Sequence, residues 1–244
     1  MYTPPPDLAD VVERFWTGAW DLRGQAPHVT EHLGDPTIHL AFEGDDRRIV
    51  GVWTHLWRRE FEGVGVVRAV KLRCGAARAF LPGSASGLTD RIVSVDSVLG
   101  DTRDLAAAVL GAEDEIDGFA VLADWLRARR RDDPEVPRAV AAIEHIREGS
   151  VDGSLTRVDA LADRMGCTVR ALQRLFRSHV GASPKWALRW FRLQEVAVRV
   201  ERGGVDDLAE LAYALGYADQ AHLARDFRAA TGRTLRGFED TVNR

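Results

Sequence analysis

Apolar positions in the last hundred residues recur at helical spacing in two near-copies of one pattern. Leu161, Ala162 and Met165 precede Gly166 and then Leu172, Leu175, Phe176 and Gly181; Leu211, Ala212 and Leu215 precede Gly216 and then Leu223, Phe227 and Gly232. The copies are offset by fifty residues up to the first glycine and by fifty-one beyond it. An extra residue inside a helix would rotate every later side chain off its face, so the length difference belongs to a turn. Each copy therefore predicts helix, Gly-containing turn, helix, which is the helix-turn-helix unit. One unit fits one major groove, and two in series predict a chain that reads two successive grooves of DNA.

Polar residues punctuate the pattern where helices should start. Thr156 with Asp159 has the spacing of a capping box, and Thr168 and Asp219 stand where the second helix of each copy needs an N-cap. Ser183-Pro184 sets a cap and a first-turn proline ahead of Trp186, Ala187, Trp190, Leu193, Val196, Ala197 and Val200, with Gly203-Gly204 as the stop. That spacer helix should run about 19 residues, or about 28 Å. Successive grooves lie roughly 34 Å apart, so its length suits two recognition helices held in register.

The first half patterns differently. Strands are expected at Trp16 to Asp21, Val29 to His32, Thr37 to Phe42, Arg48 to Trp53 and Val64 to Arg73, with turns at Gly34-Asp35-Pro36, Gly44-Asp45-Asp46 and Gly63. Two helices follow, one through Leu105, Val109 and Leu110 and one through Ile116, Phe119, Leu122, Ala123 and Leu126. The charged, proline-broken stretch from Arg127 to Arg138 is expected to be an exposed, mobile linker. The fold class is α+β: a β-rich sensor and dimerisation domain at 1–131, then an all-α DNA-binding domain with two helix-turn-helix motifs at 132–244.

Residues 137 to 244 resemble the DNA-binding domain of the AraC/XylS transcription regulators. The likeness rests on Leu172-Gln173-Arg174-Leu175-Phe176, on Gly181-Ala182-Ser183-Pro184-Lys185-Trp186, on Arg192-Leu193-Gln194 and on the run from Leu215 to Phe227. One departure is Leu235 after Thr234, where the family usually has proline. The resemblance implies a cupin-like barrel in the first half that binds a small-molecule effector, helices that pair two chains into a homodimer, promoter DNA as partner, and activation through RNA polymerase. Leu81-Pro82-Gly83 and Arg91-Ile92-Val93 are in addition similar to a sensor type of actinobacterial regulators.

Helical geometry separates DNA-facing side chains from core. With Leu172, Leu175 and Phe176 inward, Thr168, Arg170, Gln173, Arg174 and Arg177 face outward; with Leu223 and Phe227 inward, Gln220, His222 and Arg225 do so. Arg and Gln are the types that pair with guanine and adenine edges, and the resemblance carries base or phosphate contact onto Arg170, Gln173 and Arg174. The competing reading of these arginines is ordinary solvated helix surface.

Charge is permissive and no more. Residues 138 to 244 carry 17 Lys plus Arg against 14 Asp plus Glu, while residues 1 to 137 carry 16 against 23. With an overall net charge of -4, DNA affinity has to come from local placement of arginines, and a dimer would raise it without new contacts. No bilayer-length apolar run or signal segment stands out, which gives a cytoplasmic expectation with no membrane partner.

Candidate chemistry in the first half is sparse. His28, His32 and His39 do not match the barrel's usual His-x-His with a following carboxylate, and no Cys lies near, so no metal and no cofactor is expected. No Ser-His-Asp set, phosphate loop or catalytic carboxylate pair stands out, which reads as a protein that is not an enzyme. Cys74, between Arg73 and Arg78, raises a different class of reading: an enzyme, or an alkylation- or redox-sensing protein, with an attached DNA-binding domain. A third reading makes the first half a dimerisation device without a ligand. Trp16, Trp20, Trp53 and Trp57 are four of the seven tryptophans. Their i, i+4 spacing puts each pair on one face, either as compact core or as an aromatic pocket in which Trp20, Trp53 and Trp57 would touch a ligand.

Overall fold

The computed structural model describes residues 1–202 and 207–242. The chain divides into two compact units, Met1–Val140 with Leu175–Ala182, and Ala141–Arg174 with the chain from Ser183 onward. The division falls within α4 (Glu135–Val151) and again at the end of the first recognition helix. Gly203-Gly204, the expected stop of the spacer, lies outside the described residues.

In the first unit, β1 (Val12–Asp21), β2 (His28–His32), β3 (His39–Glu43), β4 (Asp46–Val50), β5 (Trp57–Phe61), β6 (Val64–Leu72) and β7 (Ile92–Ser94) precede α1 (Val95–Leu99), α2 (Arg103–Gly111) and α3 (Glu115–Arg127). Five strands make an antiparallel sheet in the order β1-β6-β3-β4-β7, and β2 pairs with β5 in a separate two-stranded sheet. The cupin-like closed barrel is corrected by this topology: among the described residues β1 and β7 end the strand order without pairing with each other, and the sheet does not close. The β-rich half followed by closing helices, and the all-α second half, are as expected for an α+β chain.

Register explains the two faces of the central strand. Leu40 pairs with Val70 and Phe42 with Arg68, while His39 pairs with Lys71 and Ala41 with Ala69. Because side chains alternate along a strand, one face carries Leu40, Phe42, Arg68, Val70 and Leu72, and the other carries His39, Ala41, Ala69 and Lys71. On the first face Phe15 meets the Phe119 ring of α3 at 5.5 Å. Arg68, buried there, donates to the carbonyls of Val109 (2.5 Å) and Ala112 (3.2 Å) at the end of α2. A cation on those terminal carbonyls satisfies acceptors that the helix leaves open. On the second face Trp16 and Trp20 pack over Ala41, Val67 and Ala69.

Two strands escaped the sequence reading, β5 and β7. β5 begins at a tryptophan in a charged segment, Trp57-Arg58-Arg59-Glu60-Phe61, and so lacks the apolar alternation of a core strand, and β7 is only three residues long. The expected linker after α3 is exposed over most of its length but is not free. Arg127 binds Asp7, Arg130 binds Asp10, and Asp133 accepts from Arg78 at 2.8 Å. Three of its charges, Arg127, Arg130 and Asp133, thus pair with the first ten residues and with Arg78.

In the second unit, α5 (Val158–Arg164) and α6 (Val169–Leu175) form the first motif, α7 (Pro184–Glu201) is the spacer, α8 (Leu208–Ala214) and α9 (Gln220–Thr231) form the second motif, and α10 (Leu235–Val242) follows. The caps at Thr168, Ser183 and Asp219 are made: their side-chain oxygens accept from the backbone N–H of Ala171, Trp186 and His222. The Thr156–Asp159 capping box is not. Arg157 is the N-cap of α5, and Asp159 pairs with the Arg157 guanidinium instead. Thr234 accepts from Gly237 N–H at 3.1 Å, so a threonine cap opens α10 at the position where proline was missing.

Candidate nucleic-acid interface and aromatic pocket

Each motif is built on a short buried stripe. Leu161, Ala162, Leu172 and Phe176 are buried in the first, and Leu211, Ala212, Leu215, Leu223 and Phe227 in the second. The turns need glycine: Gly166 has φ 60° and Gly216 φ 72°. An added Cβ at Gly216 would also stand 2.7 Å from Thr156 Cγ2. From cap to closing glycine the recognition segments have equal length, Thr168 to Gly181 and Asp219 to Gly232, so the one-residue offset lies in the turn, which runs longer in the second copy. The two helices end differently. α9 is regular to Thr231, whereas Phe176–Val180 widens into a π-turn that closes on Gly181.

That π-turn belongs to the first compact unit. Ser84 Oγ donates to the Arg177 carbonyl at 2.8 Å, Thr89 Oγ1 donates to the Gly181 carbonyl at 2.5 Å, and buried His179 meets Asp133 at 3.3 Å. The Arg78 hydrogen bond, with His179 contributing, holds the Asp133 carboxyl below its ordinary range.

The sequence-selected readers fall as follows. Thr168, Arg170, Gln173, Arg174 and Arg177 are exposed, and so are Gln220 and Arg225. His222 is half-buried with its ring edge-on to Tyr217 at 5.3 Å, so part of it serves the turn. Tyr217 is buried beneath the Arg192 guanidinium at 4.8 Å, and burial pushes its phenol up to about 12. Arg228, exposed at the position matching Arg177, was missed, although the fifty-one-residue offset marks it. The same offset sets Ala221 and Ala224 opposite Arg170 and Gln173, leaving the second motif fewer side chains that can pair with a base edge. Trp186 and Trp190 are half-buried and stacked, 6.3 Å apart, on the spacer.

The first unit holds an aromatic cavity of about 270 Å³ between the second face of the large sheet and the β2–β5 pair. Trp16, Trp53, Trp57 and Phe61 line it together with Arg48 and Arg59. Trp53 and Trp57 meet edge to face at 4.9 Å, and His32 stacks on Trp57 at 6.1 Å. Trp20 lies outside this cavity: its ring contacts Phe61 at 4.9 Å, and its N–H donates to the Glu62 carbonyl at 3.0 Å.

Polar groups at the cavity floor form a chain. Trp16 can only donate, so its 3.3 Å bond makes His39 Nδ1 an acceptor. His39 Nε2 therefore carries the proton and faces Thr37 Oγ1 at 3.1 Å and Asp35 Oδ2 at 3.5 Å. Thr37 Oγ1 donates to Asp35 Oδ1 at 2.6 Å, and Lys71 reaches Asp35 Oδ2 at 2.8 Å. Burial alone would raise Asp35, but the His39 hydrogen bond and the Lys71 charge outweigh it and hold the carboxyl far below its usual range. His39, Asp35, Arg48 and Arg59 were not foreseen as a group, since strand pairing and the unrecognised β5 bring them together.

Cys74 is buried, and its thiol donates to the Pro36 carbonyl at 3.1 Å. Its flanking cations serve other groups: Arg73 donates to the Ala9 carbonyl, and Arg78 to Asp133 and to the Gly83 carbonyl. Nothing here supports the alkylation or redox reading. Among the described residues no helix is long and apolar enough to cross a membrane.

Two helix-turn-helix units joined by one long helix define a DNA-binding domain of the double-motif class. In comparisons, residues 161–240 match the family described as Helix-turn-helix domain, and residues 1–94 match a Domain of unknown function (DUF6597). The HTH-type transcriptional activators RhaS of Pectobacterium carotovorum and Pectobacterium atrosepticum are 34% identical over 71 residues and 33% over 70. Each match covers 29% of this chain, and the chain spans 25% of the length of each relative. Among solved structures, the C-terminal domain of AraT from Geobacillus stearothermophilus gives a TM-score of 0.40 at 22% identity, covering 46% of this chain and 88% of that one. ToxT from Vibrio cholerae gives 0.47 at 8%, covering 93% and 98%. Residues 161–240 thus carry a helix-turn-helix domain similar to that of the RhaS activators.

Proposed function

We propose that the protein is a sequence-specific, DNA-binding transcription regulator that works as a homodimer on double-stranded promoter DNA in the cytoplasm. Residues 1–131 sense a small molecule and pair the chains, residues 132–244 bind DNA, and transcription is activated through contact with RNA polymerase. One observation carries the reading: two capped helix-turn-helix units in one chain, joined by α7, expose Arg170, Gln173 and Arg174 on one recognition helix and Gln220 and Arg225 on the other. Exposed Arg and Gln on recognition helices are what base-edge readout requires. The two family matches support the division, one falling on each side of residue 131. RhaS is by its name a transcriptional activator, which supports the sign of regulation. The cavity lined by Trp53 and Trp57 supports a ligand site, and the partners already found for the Cys74 thiol and its flanking arginines give no competing reading a foothold.

The test is footprinting of the full chain on its own promoter region, followed by Arg174→Ala and Arg225→Ala. If each arginine reads a base, each change costs about 1–3 kcal/mol at the specific site and relaxes preference at one position. The affected positions should lie about 10 base pairs apart. Uniform weakening on every sequence with a shallower salt dependence would make them phosphate contacts. Equal affinity of the unaltered chain for promoter and random DNA would overturn the proposal.

A further inference from the structure

Resting on the reading of the aromatic cavity as a ligand site, we infer that its ligand is a small planar aromatic acid, held by its ring among the tryptophans and by its carboxylate on Arg59. The walls supply stacking surface and unspent hydrogen-bond donors, while the one carboxylate in the lining, Asp35, is already used. Both Asp35 oxygens are engaged, Oδ1 by Thr37 and Oδ2 by Lys71 and His39. A single oxygen of Glu43 accepts from both Arg48 and Arg59. Asp46, the second partner of Arg48, is largely in water. Against this, Arg59 spends one terminal nitrogen on Glu43, and its remaining N–H groups make no other hydrogen bond among the described residues. The indole N–H of Trp53 is buried without a partner. A guanidinium with free N–H groups matches a carboxylate in shape and charge. Arg59 is also fixed in place, lying over the Phe61 ring at 4.5 Å and the Trp20 ring at 5.5 Å. A cationic ligand would meet Arg48 and Arg59 with no free carboxylate in the cavity lining to receive it. A cavity of about 270 Å³ sits at the small end of ligand pockets, which suits one or two fused rings and excludes long chains.

The experiment is calorimetric titration of the full chain with three probes of one shape: indole-3-carboxylate, indole-3-carboxamide and indole-3-methylammonium. The carboxylate should bind about tenfold or more tighter than the amide, with the ammonium weakest, as a charge-assisted pair predicts. Arg59→Gln should bring the carboxylate to the level of the amide while leaving the amide within about twofold, and Arg59→Lys should restore part of the difference. Thr30→Trp, which fills the cavity from β2, should abolish binding of all three. A thermal melt of each variant separates lost binding from lost folding. Equal affinities for the three probes, or a carboxylate preference that survives Arg59→Gln, overturns the ligand class while leaving a ligand site in place. Heat from none of the three, or binding that survives Thr30→Trp, overturns the inference together with the reading of the cavity on which it rests.

Discussion

Replacing Gly118 by alanine sets helix propensity against packing, and the structure decides the sign. Gly118 sits inside α3, where exchange of glycine for alanine favours the helix by about 1 kcal/mol. A Cβ at this position would stand 2.6 Å from the Val109 carbonyl oxygen and 2.7 Å from Arg68 Nη1. The arginine tip could move, but the carbonyl is backbone of α2, and Arg68 is donating to that same carbonyl. Relief therefore needs α2 and α3 to part or the Arg68 bond to break. Overpacking of a filled site costs about 1–3 kcal/mol, and losing a hydrogen bond to a charged donor about 1.5–3 kcal/mol. Set against the propensity gain, either leaves Gly118→Ala destabilising by up to about 2 kcal/mol. Gly111→Ala is the control: it closes α2, a Cβ there meets nothing within 4 Å, and it should stabilise by roughly 0.5–1 kcal/mol. Urea melts followed by tryptophan fluorescence give both values from the midpoints at constant slope. A Gly118→Ala variant as stable as Gly111→Ala would refute the close approach of α2 and α3 through Arg68.

Three further outcomes follow from groups at or near the cavity and the first motif. Asp35→Asn removes the carboxylate charge and one of the two oxygens that serve Lys71, Thr37 and His39 and should cost roughly 3 kcal/mol, as breaking a buried pair does; a loss below 1 kcal/mol on thermal melting would place that pair in effective contact with water. Because the folded-state pKa values of Asp35 and Asp133 lie below those of the unfolded chain, their stabilisation is present above about pH 4 and is lost as pH falls through the folded values. Acid titration of the Asp35→Asn variant should show a shallower loss than the parent, and an identical profile would contradict that assignment. Cys74 should resist a thiol reagent in the native chain while half-exposed Cys167 reacts, giving one labelled cysteine by mass; rapid labelling of both would mean that the Cys74 thiol opens readily to solvent.

The second half of the chain was legible because its information is local. A helix-turn-helix unit needs an apolar stripe at 3.6-residue spacing, a cap and a glycine at the turn, and each lies within a few positions of the next; Thr168, Ser183 and Asp219 could be chosen as caps for that reason. The capping box at Thr156 failed because Arg157, a residue inside the motif, takes the N-cap position and holds Asp159. In the first half, period-2 alternation marked β1, β3 and β6 but carried no record of which strand lies beside which. The open order β1-β6-β3-β4-β7 and the separate β2–β5 pair are set by contacts across dozens of residues. The tryptophans were visible as a cluster in sequence, yet it was the β2–β5 pairing that brought Trp57 and Arg59 over Trp16 and Trp53 and left Trp20 outside. His39, Asp35 and Lys71 acquire their chemistry only when β3 and β6 lie in register, because hydrogen bonding and charge act over a few ångströms of space and not over a spacing in sequence.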